Sequence, residues 1–157
     1  MNKKKILLIG ANGIIGNYLY SHLSDRYIIQ TIVSKRSKEK RYDFSVDLRN
    51  KNDVASVISK IKPFSILIFL VGLNHSKGKK SEYNDFYETN FVTLKNIVSS
   101  LKEKNMEPNQ IIFTSSISVY GESFQVSKYK EDSVLGPKSS YAKTKLLAEN
   151  YLKSNYL

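Results

Sequence analysis

There is no cysteine among the 157 residues, which excludes disulfides and thiolate metal sites and accords with a cytoplasmic protein. Long apolar runs are missing as well. Lys3-Lys4-Lys5 followed by Ile6-Leu7-Leu8-Ile9 has the charge order of a secretion signal, but the apolar stretch is shorter than a signal core and breaks at Gly10 and Asn12. It reads as a strand, and no membrane association is expected. Acidic residues are scarce, 14 against 25 Lys and Arg, for a formal net charge of +11. Such a balance can draw polyanions or an anionic membrane surface. The lysines are nevertheless scattered across many segments, with local groups at residues 35–41 and 77–80, so a solvated basic surface is expected rather than a nucleic-acid footprint. No repeat, linker or low-complexity tract interrupts the chain. With 41% apolar residues it is expected to fold as one globular domain with a sizeable core and no room for a second.

What is present is organised around residues 6–16. The run Ile6-Leu7-Leu8-Ile9 suits a strand buried on both faces, and Ile15, Leu19 and Leu23 then recur every fourth residue, as on the buried face of a helix. Between them stand three glycines. Gly10 allows a tight turn, Gly13 lets the backbone approach a pyrophosphate, and Gly16 permits close packing of helix on strand. The anion would rest on the free N–H groups of the helix. The spacing is G-x-x-G-x-x-G rather than the commoner G-x-G-x-x-G, so the loop alone does not separate a dinucleotide site from a plain glycine turn.

The rest of the chain alternates strand and helix. A first helix over residues 14–24 leads to a β-branched strand at 27–33. A dinucleotide fold places an acid at that strand's end to hold the adenosine ribose. Here Ser34-Lys35-Arg36 stands instead, a hydroxyl and two cations that suit a 2′-phosphate and favour NADP over NAD. A strand over residues 43–48 precedes a helix at 53–61 whose Val54, Val57, Ile58 and Ile61 form one face, ended near Pro63. Asp47-Leu48 can set a carboxylate beside an adenine amino group or cap the next turn. Residues 65–71 form the strongest strand, buried and parallel. A polar, basic stretch then leads into a helix at 83–104, with Phe86, Phe91, Leu94, Ile97, Val98 and Leu101 inward and Asn90 in its middle. Residues 110–114 form the next strand, and residues 140–157 a final helix. This alternation predicts a parallel sheet with helices on both faces.

Tyr141 and Lys145 lie four apart on that last helix and so share a face. A phenol titrates near 10 and transfers protons poorly at neutral pH until its anion is stabilised. An ammonium about 4 Å away, at a surface-like dielectric, supplies on the order of 4 kcal/mol. Bringing a phenol into the neutral range takes roughly 3 to 4 kcal/mol, so the sizes agree. Ser116, at the C-terminal end of a strand, can hold a substrate hydroxyl or carbonyl against the phenol.

Taken in this order, the residues resemble the extended short-chain dehydrogenase/reductases, also called the NAD-dependent epimerase/dehydratase family, over essentially the whole chain. Gly10, Gly13 and Gly16 match its cofactor loop, with Asn12, Ile14 and Ile15 between them. Asp47-Leu48-Arg49-Asn50 resembles its adenine-contacting segment, and Phe69-Leu70-Val71-Gly72 stands where the family has Leu-Ala-Ala or a close variant. Asn90 matches its helix asparagine. Thr114-Ser115-Ser116 with Val119-Tyr120-Gly121 is similar to its Ser/Thr strand end, and Tyr141 and Lys145 match its catalytic pair. The resemblance implies a Rossmann-type doubly wound α/β fold and an epimerase, dehydratase or reductase acting on a nucleotide sugar. Tyr141 would be the acid/base, Ser116 the catalytic hydroxyl, and Lys145 would also bind the nicotinamide ribose. The cofactor, NAD or preferably NADP, would be held by the glycine loop, Ser34, Lys35, Arg36, Asp47, Leu48, Val71, Gly72, Asn90, Tyr141 and Lys145. No metal is expected.

Family members continue well beyond this length into a substrate domain, so the chain resembles an N-terminal half ending on the catalytic helix. Strand 110–114 should then be a sheet edge, open to a complementing C-terminal half or to self-association. The alternatives are a non-catalytic NADP-binding module and a basic surface-binding protein.

Overall fold

In the computed structural model, the described residues are 3–34, 41–74, 81–121 and 128–156. They divide into two compact units, Met1–Val71 with Val92–Thr114 and Gly72–Phe91 with Ser115–Leu157. No helix among them is long and apolar enough to cross a membrane.

The first unit holds a parallel five-stranded sheet in the order β3-β2-β1-β4-β5, formed by β1 (Lys5–Ile9), β2 (Ile28–Ser34), β3 (Phe44–Val46), β4 (Ile66–Phe69) and β5 (Gln110–Phe113). This is the order of a doubly wound dinucleotide fold. Ile6 to Ile9 are each no more than 2% exposed, as a central strand covered on both sides requires. Ile6 and Leu8 join Ala11, Val33, Tyr42 and Ile68 in one cluster, against which Leu19, Tyr20 and Leu23 of α1 (Ile14–Leu23) pack. Leu7 and Ile9 alternate to the opposite face and are fully buried. Helix α2 (Lys51–Ile58) packs against α4 (Thr93–Glu103). It begins two residues earlier than its apolar pattern suggests because Asn50 caps it, its Oδ1 accepting from the N–H groups of Asn52 (3.0 Å) and Asp53 (3.2 Å). Strand β5 lies at the sheet's edge, with Ile112 42% exposed.

One expectation fails by a single residue. Ile15 is 60% exposed and Ile14 90%, so the inward stripe of α1 is Gly16, Leu19, Tyr20 and Leu23. Leu19 and Leu23 face inward as expected, and in the first turn the buried position is that of Gly16, in close contact with Gly10 and Ala11, rather than that of Ile15.

In the second unit the helix expected over residues 83–104 begins as α3 (Tyr83–Tyr87) and opens into a π-helical turn (Glu88–Val92), after which the chain enters α4 of the first unit. All six residues expected inward are buried. A 3-10 turn (Ile117–Tyr120) and helix α5 (Ser140–Tyr156) pack together.

Candidate active site

In the first unit, Gly10 has φ +87, and a Cβ there would sit 3.2 Å from Val71 Cγ2 and 3.3 Å from the Leu70 carbonyl carbon. The turn therefore lies directly against the exit of β4. A Cβ on Gly16 would lie 2.2 Å from the Gly10 carbonyl oxygen and 2.8 Å from Ala11 Cα, so α1 starts in contact with its own loop. Gly13 is the helix N-cap, with no side-chain capping bond and no acidic residue in the first turn. A helix start without its own anion or cap, preceded by a glycine turn, fits the pyrophosphate of a dinucleotide. Asn12, Gly13, Ile14 and Ile15 are all exposed around it.

Ser34 ends β2 exposed, and its carbonyl accepts from Ser45 Oγ (3.2 Å). Lys35 and Arg36 lie outside the described residues. Asp47 Oδ1 accepts from the Arg49 backbone N–H (3.1 Å), and both carboxylate oxygens accept from the Arg49 guanidinium (2.9 and 2.7 Å). Leu48 is 5% exposed, and Asn96 Nδ2 donates to the carbonyls of Leu48 (2.9 Å) and Arg49 (3.0 Å). Asn96 thus fixes the segment from behind, a role nothing in its helical context signalled.

The second unit gathers Gly72, Asn90, Tyr141 and Lys145. Asn90 is fully buried. Its Oδ1 accepts from the Leu73 N–H (2.7 Å), and its Nδ2 donates to the Leu73 carbonyl (3.2 Å) and to Thr144 Oγ1 (3.1 Å). The π-helical turn lets this polar side chain meet both the Gly72-Leu73 backbone and α5. Thr144 Oγ1 donates back to the carbonyls of Ser140 and Tyr141, both at 2.9 Å. A Cβ on Gly72 would lie 3.0 Å from Lys145 Nζ and 3.4 Å from Asn90 Oδ1, so the missing side chain is what makes room for the lysine. Lys145 Nζ stands 6.0 Å from the centroid of the Tyr141 ring, which also meets Phe86 edge-on at 6.5 Å.

Ser116 caps the 3-10 turn: its Oγ accepts from the Ser118 N–H (3.2 Å) and donates to Ser118 Oγ (3.2 Å). Its neighbour Ser115 donates to Glu149 on α5. Thr144, Ser118 and Glu149 were not singled out by sequence. Only the four-residue step from Lys145 to Glu149 hinted at the last.

Lys145 is 3% exposed, and burial pushes its ammonium down from 10.5 to about 8. It thus keeps most of its charge at neutral pH. Below about 8 the lysine is charged in both folded and unfolded chains, and the fold bears the cost of burying it. Between about 8 and 10.5 the folded chain sheds the proton while the unfolded chain holds it, so stability rises with pH in that window. The difference corresponds to about 3 kcal/mol. Urea unfolding of wild type and Lys145→Met should therefore show the wild type gaining about that much relative to the variant across the window. A pH-independent difference between the two would contradict it.

A family model described as the NAD dependent epimerase/dehydratase family matches residues 6–155. UDP-glucose 4-epimerase 3 of Oryza sativa subsp. japonica is 26% identical over 166 residues, which cover 94% of this chain and 43% of that protein. The crystal structure of the Thermus thermophilus UDP-glucose 4-epimerase in complex with NAD superposes with a TM-score of 0.81 at 23% identity, covering 96% of this chain and 50% of that one. The UDP-N-acetylglucosamine 4-epimerase of Methanobrevibacter ruminantium, in complex with UDP-N-acetylmuramic acid, gives 0.77 at 25% identity, covering 98% and 51%. The chain spans about half the length of the curated relatives it matches.

Proposed function

The chain belongs to the NAD dependent epimerase/dehydratase family, and from that premise we propose that it carries the dinucleotide-binding and acid–base residues of an enzyme acting on a nucleotide sugar, with epimerisation as the reaction. A bound nicotinamide would supply hydride acceptance and return at its C4. The chain's own residues do the rest. The glycine loop holds the pyrophosphate on the start of α1, and Tyr141 Oη takes and returns the proton of the sugar hydroxyl. Lys145 stabilises the phenolate, and Ser116 orients the same hydroxyl.

The observation that carries this reading is the buried ammonium of Lys145 beside the Tyr141 ring, in space left by Gly72 and braced by Asn90. A dinucleotide-binding module could use Lys145 on a ribose, but it would not need Ser116, Tyr141 and Lys145 together. The substrate grip is assigned to residues equivalent to the half of the relatives that this chain does not span.

The cofactor preference follows from Ser34. With no carboxylate to hold a ribose 2′-hydroxyl, and with Lys35 and Arg36 next in sequence, NADPH is expected to bind more tightly than NADH. Calorimetry on the wild type, Arg36→Ala and Ser34→Asp tests both the domain and the preference. Arg36→Ala should weaken NADPH alone, and Ser34→Asp should shift the balance toward NADH, each by about tenfold. Equal binding of the two cofactors by wild type would overturn the preference. Absence of any dinucleotide binding would overturn the reading.

A further inference from the structure

Asn12 and Gly13 form the only Asn-Gly pair in the chain; every other asparagine is followed by a residue that carries a Cβ. The pair lies in the glycine loop, with both residues exposed. The backbone around it is tied down. Tyr42 Oη donates to the Ala11 carbonyl (3.2 Å), the Gly13 N–H donates to the Gly10 carbonyl (3.0 Å), and the Asn17 N–H donates to the Gly13 carbonyl (2.8 Å). The Asn12 side chain is not: among the described residues no hydrogen bond engages it. Asn90 and Asn96, by contrast, are buried with their amides bonded. A Cβ on Gly13 would meet nothing among the described residues nearer than the Gly10 carbonyl oxygen at 3.4 Å, so the space about this peptide unit is open. An unpartnered carboxamide beside a backbone nitrogen that no side chain shields is placed to react with its own chain.

We propose that Asn12 is a site of spontaneous modification, closing with Gly13 to a succinimide that opens to aspartate or isoaspartate, and that the conversion removes the loop's capacity for a dinucleotide. The Gly13 nitrogen, its proton lost to water, bonds to Asn12 Cγ; the Cγ–Nδ2 bond breaks, and Nδ2 leaves as ammonia with a proton returned to it. Water then opens the ring. Cleavage of the new bond between nitrogen and Cγ leaves aspartate, whereas cleavage between the nitrogen and the Asn12 main-chain carbonyl carbon leaves isoaspartate, with the chain running through Cβ and Cγ. Water enters, ammonia leaves, and nothing is oxidised or reduced. Because the Gly13 N–H is bonded to Gly10, ring closure waits on the opening of that turn, and a pyrophosphate seated on the loop holds it shut. Both products work against that ligand. Helix α1 has no acid in its first turn, and a carboxylate one residue before its N-cap sets a fixed anion where the pyrophosphate would rest. Isoaspartate lengthens the main chain between Ala11 and Gly13, in a loop so tight that a Cβ on Gly16 would lie 2.2 Å from the Gly10 carbonyl oxygen, so the helix start must move. The effect on binding rests on reading the first unit as a dinucleotide site; the modification itself does not.

The test is storage of the purified 157-residue chain at neutral and at mildly alkaline pH, with and without saturating NADP⁺ or NAD⁺. Peptide mass spectrometry reads the exchange of NH2 for OH at each asparagine, and calorimetry titrates both dinucleotides into fresh and aged protein. Conversion should be concentrated at Asn12, faster at alkaline pH, where the Gly13 nitrogen gives up its proton more readily, and slower with dinucleotide present. It should be lost in Gly13→Ala, whose Cβ crowds the nitrogen while its φ of -75 suits alanine. Aged protein and Asn12→Asp should bind both dinucleotides about tenfold more weakly than the fresh chain. An intact Asn12 after storage overturns the proposal, as does conversion spread evenly over the other asparagines or binding by Asn12→Asp as tight as that of the fresh chain. If the fresh chain bound neither dinucleotide while Asn12 still converted, the dinucleotide reading would fall, and with it the proposed effect on binding.

Discussion

Taken alone, these 157 residues are expected to bind a dinucleotide and to turn over no UDP-sugar at a measurable rate. Residues equivalent to the uncovered half of the relatives, supplied in cis or in trans, should restore turnover through Tyr141. The glycine loop, Ser116, Tyr141 and Lys145 all fall between residues 10 and 145, whereas the chain spans only about half the length of its relatives. Correct placement of a reacting group supplies roughly 7 to 11 kcal/mol of barrier lowering. An acid/base pair without a positioned sugar loses about that much, a factor of at least 10⁵. The check is a coupled assay for epimerised UDP-sugar with the chain alone, with a complementing half, and with the same half plus Tyr141→Phe. Robust turnover by the chain alone would refute the division of labour. Activity in the complemented pair that survives Tyr141→Phe would refute the role of the phenol.

Gly16→Ala is expected to be strongly damaging for so small a substitution. Its methyl would lie 2.2 Å from the Gly10 carbonyl oxygen and 2.8 Å from Ala11 Cα. Both are backbone atoms, so α1 must lift or the loop must move. Overpacking of this kind costs about 1–3 kcal/mol, seen as a drop of roughly 2–12 °C in melting temperature. Displacing the N–H groups that face the pyrophosphate should also remove one or two charge-assisted hydrogen bonds, on the order of a hundredfold in dinucleotide affinity. Gly13→Ala is the control for stability, since its methyl would approach Gly10 oxygen only to 3.4 Å and its φ of -75 is open to any residue. Equal melting temperatures for wild type and Gly16→Ala would show that the loop is looser than its geometry states.

The glycine loop was legible because the turn and the helix start it needs are local, although the β4 exit that presses on Gly10 lies some sixty residues away. The turn at Gly10 and the tight helix start at Gly16 lie within seven residues of each other. Strands β1 and β4 were legible because a continuous apolar run has few other uses in a chain of this size. In α1, Leu19 and Leu23 face the core as their spacing predicts and Gly16 takes the close-packing place given to it; only Ile15, counted inward by its apolar side chain, is exposed.

The sequence by itself determined the alternation of strands and helices, the glycine turn before α1, and the four-residue step that sets Tyr141 and Lys145 on one face. Each depends on neighbours a few bonds away, and periodicity records such neighbours directly. Only the tertiary structure decided what surrounds those residues. Asn90 meets Leu73 and Thr144, 17 and 54 positions distant, and Arg41 reaches Asn17 across 24. The burial that moves Lys145 from 10.5 to about 8 has the same origin. Desolvation is set by whatever the rest of the chain packs around a group, and no spacing in the sequence records it.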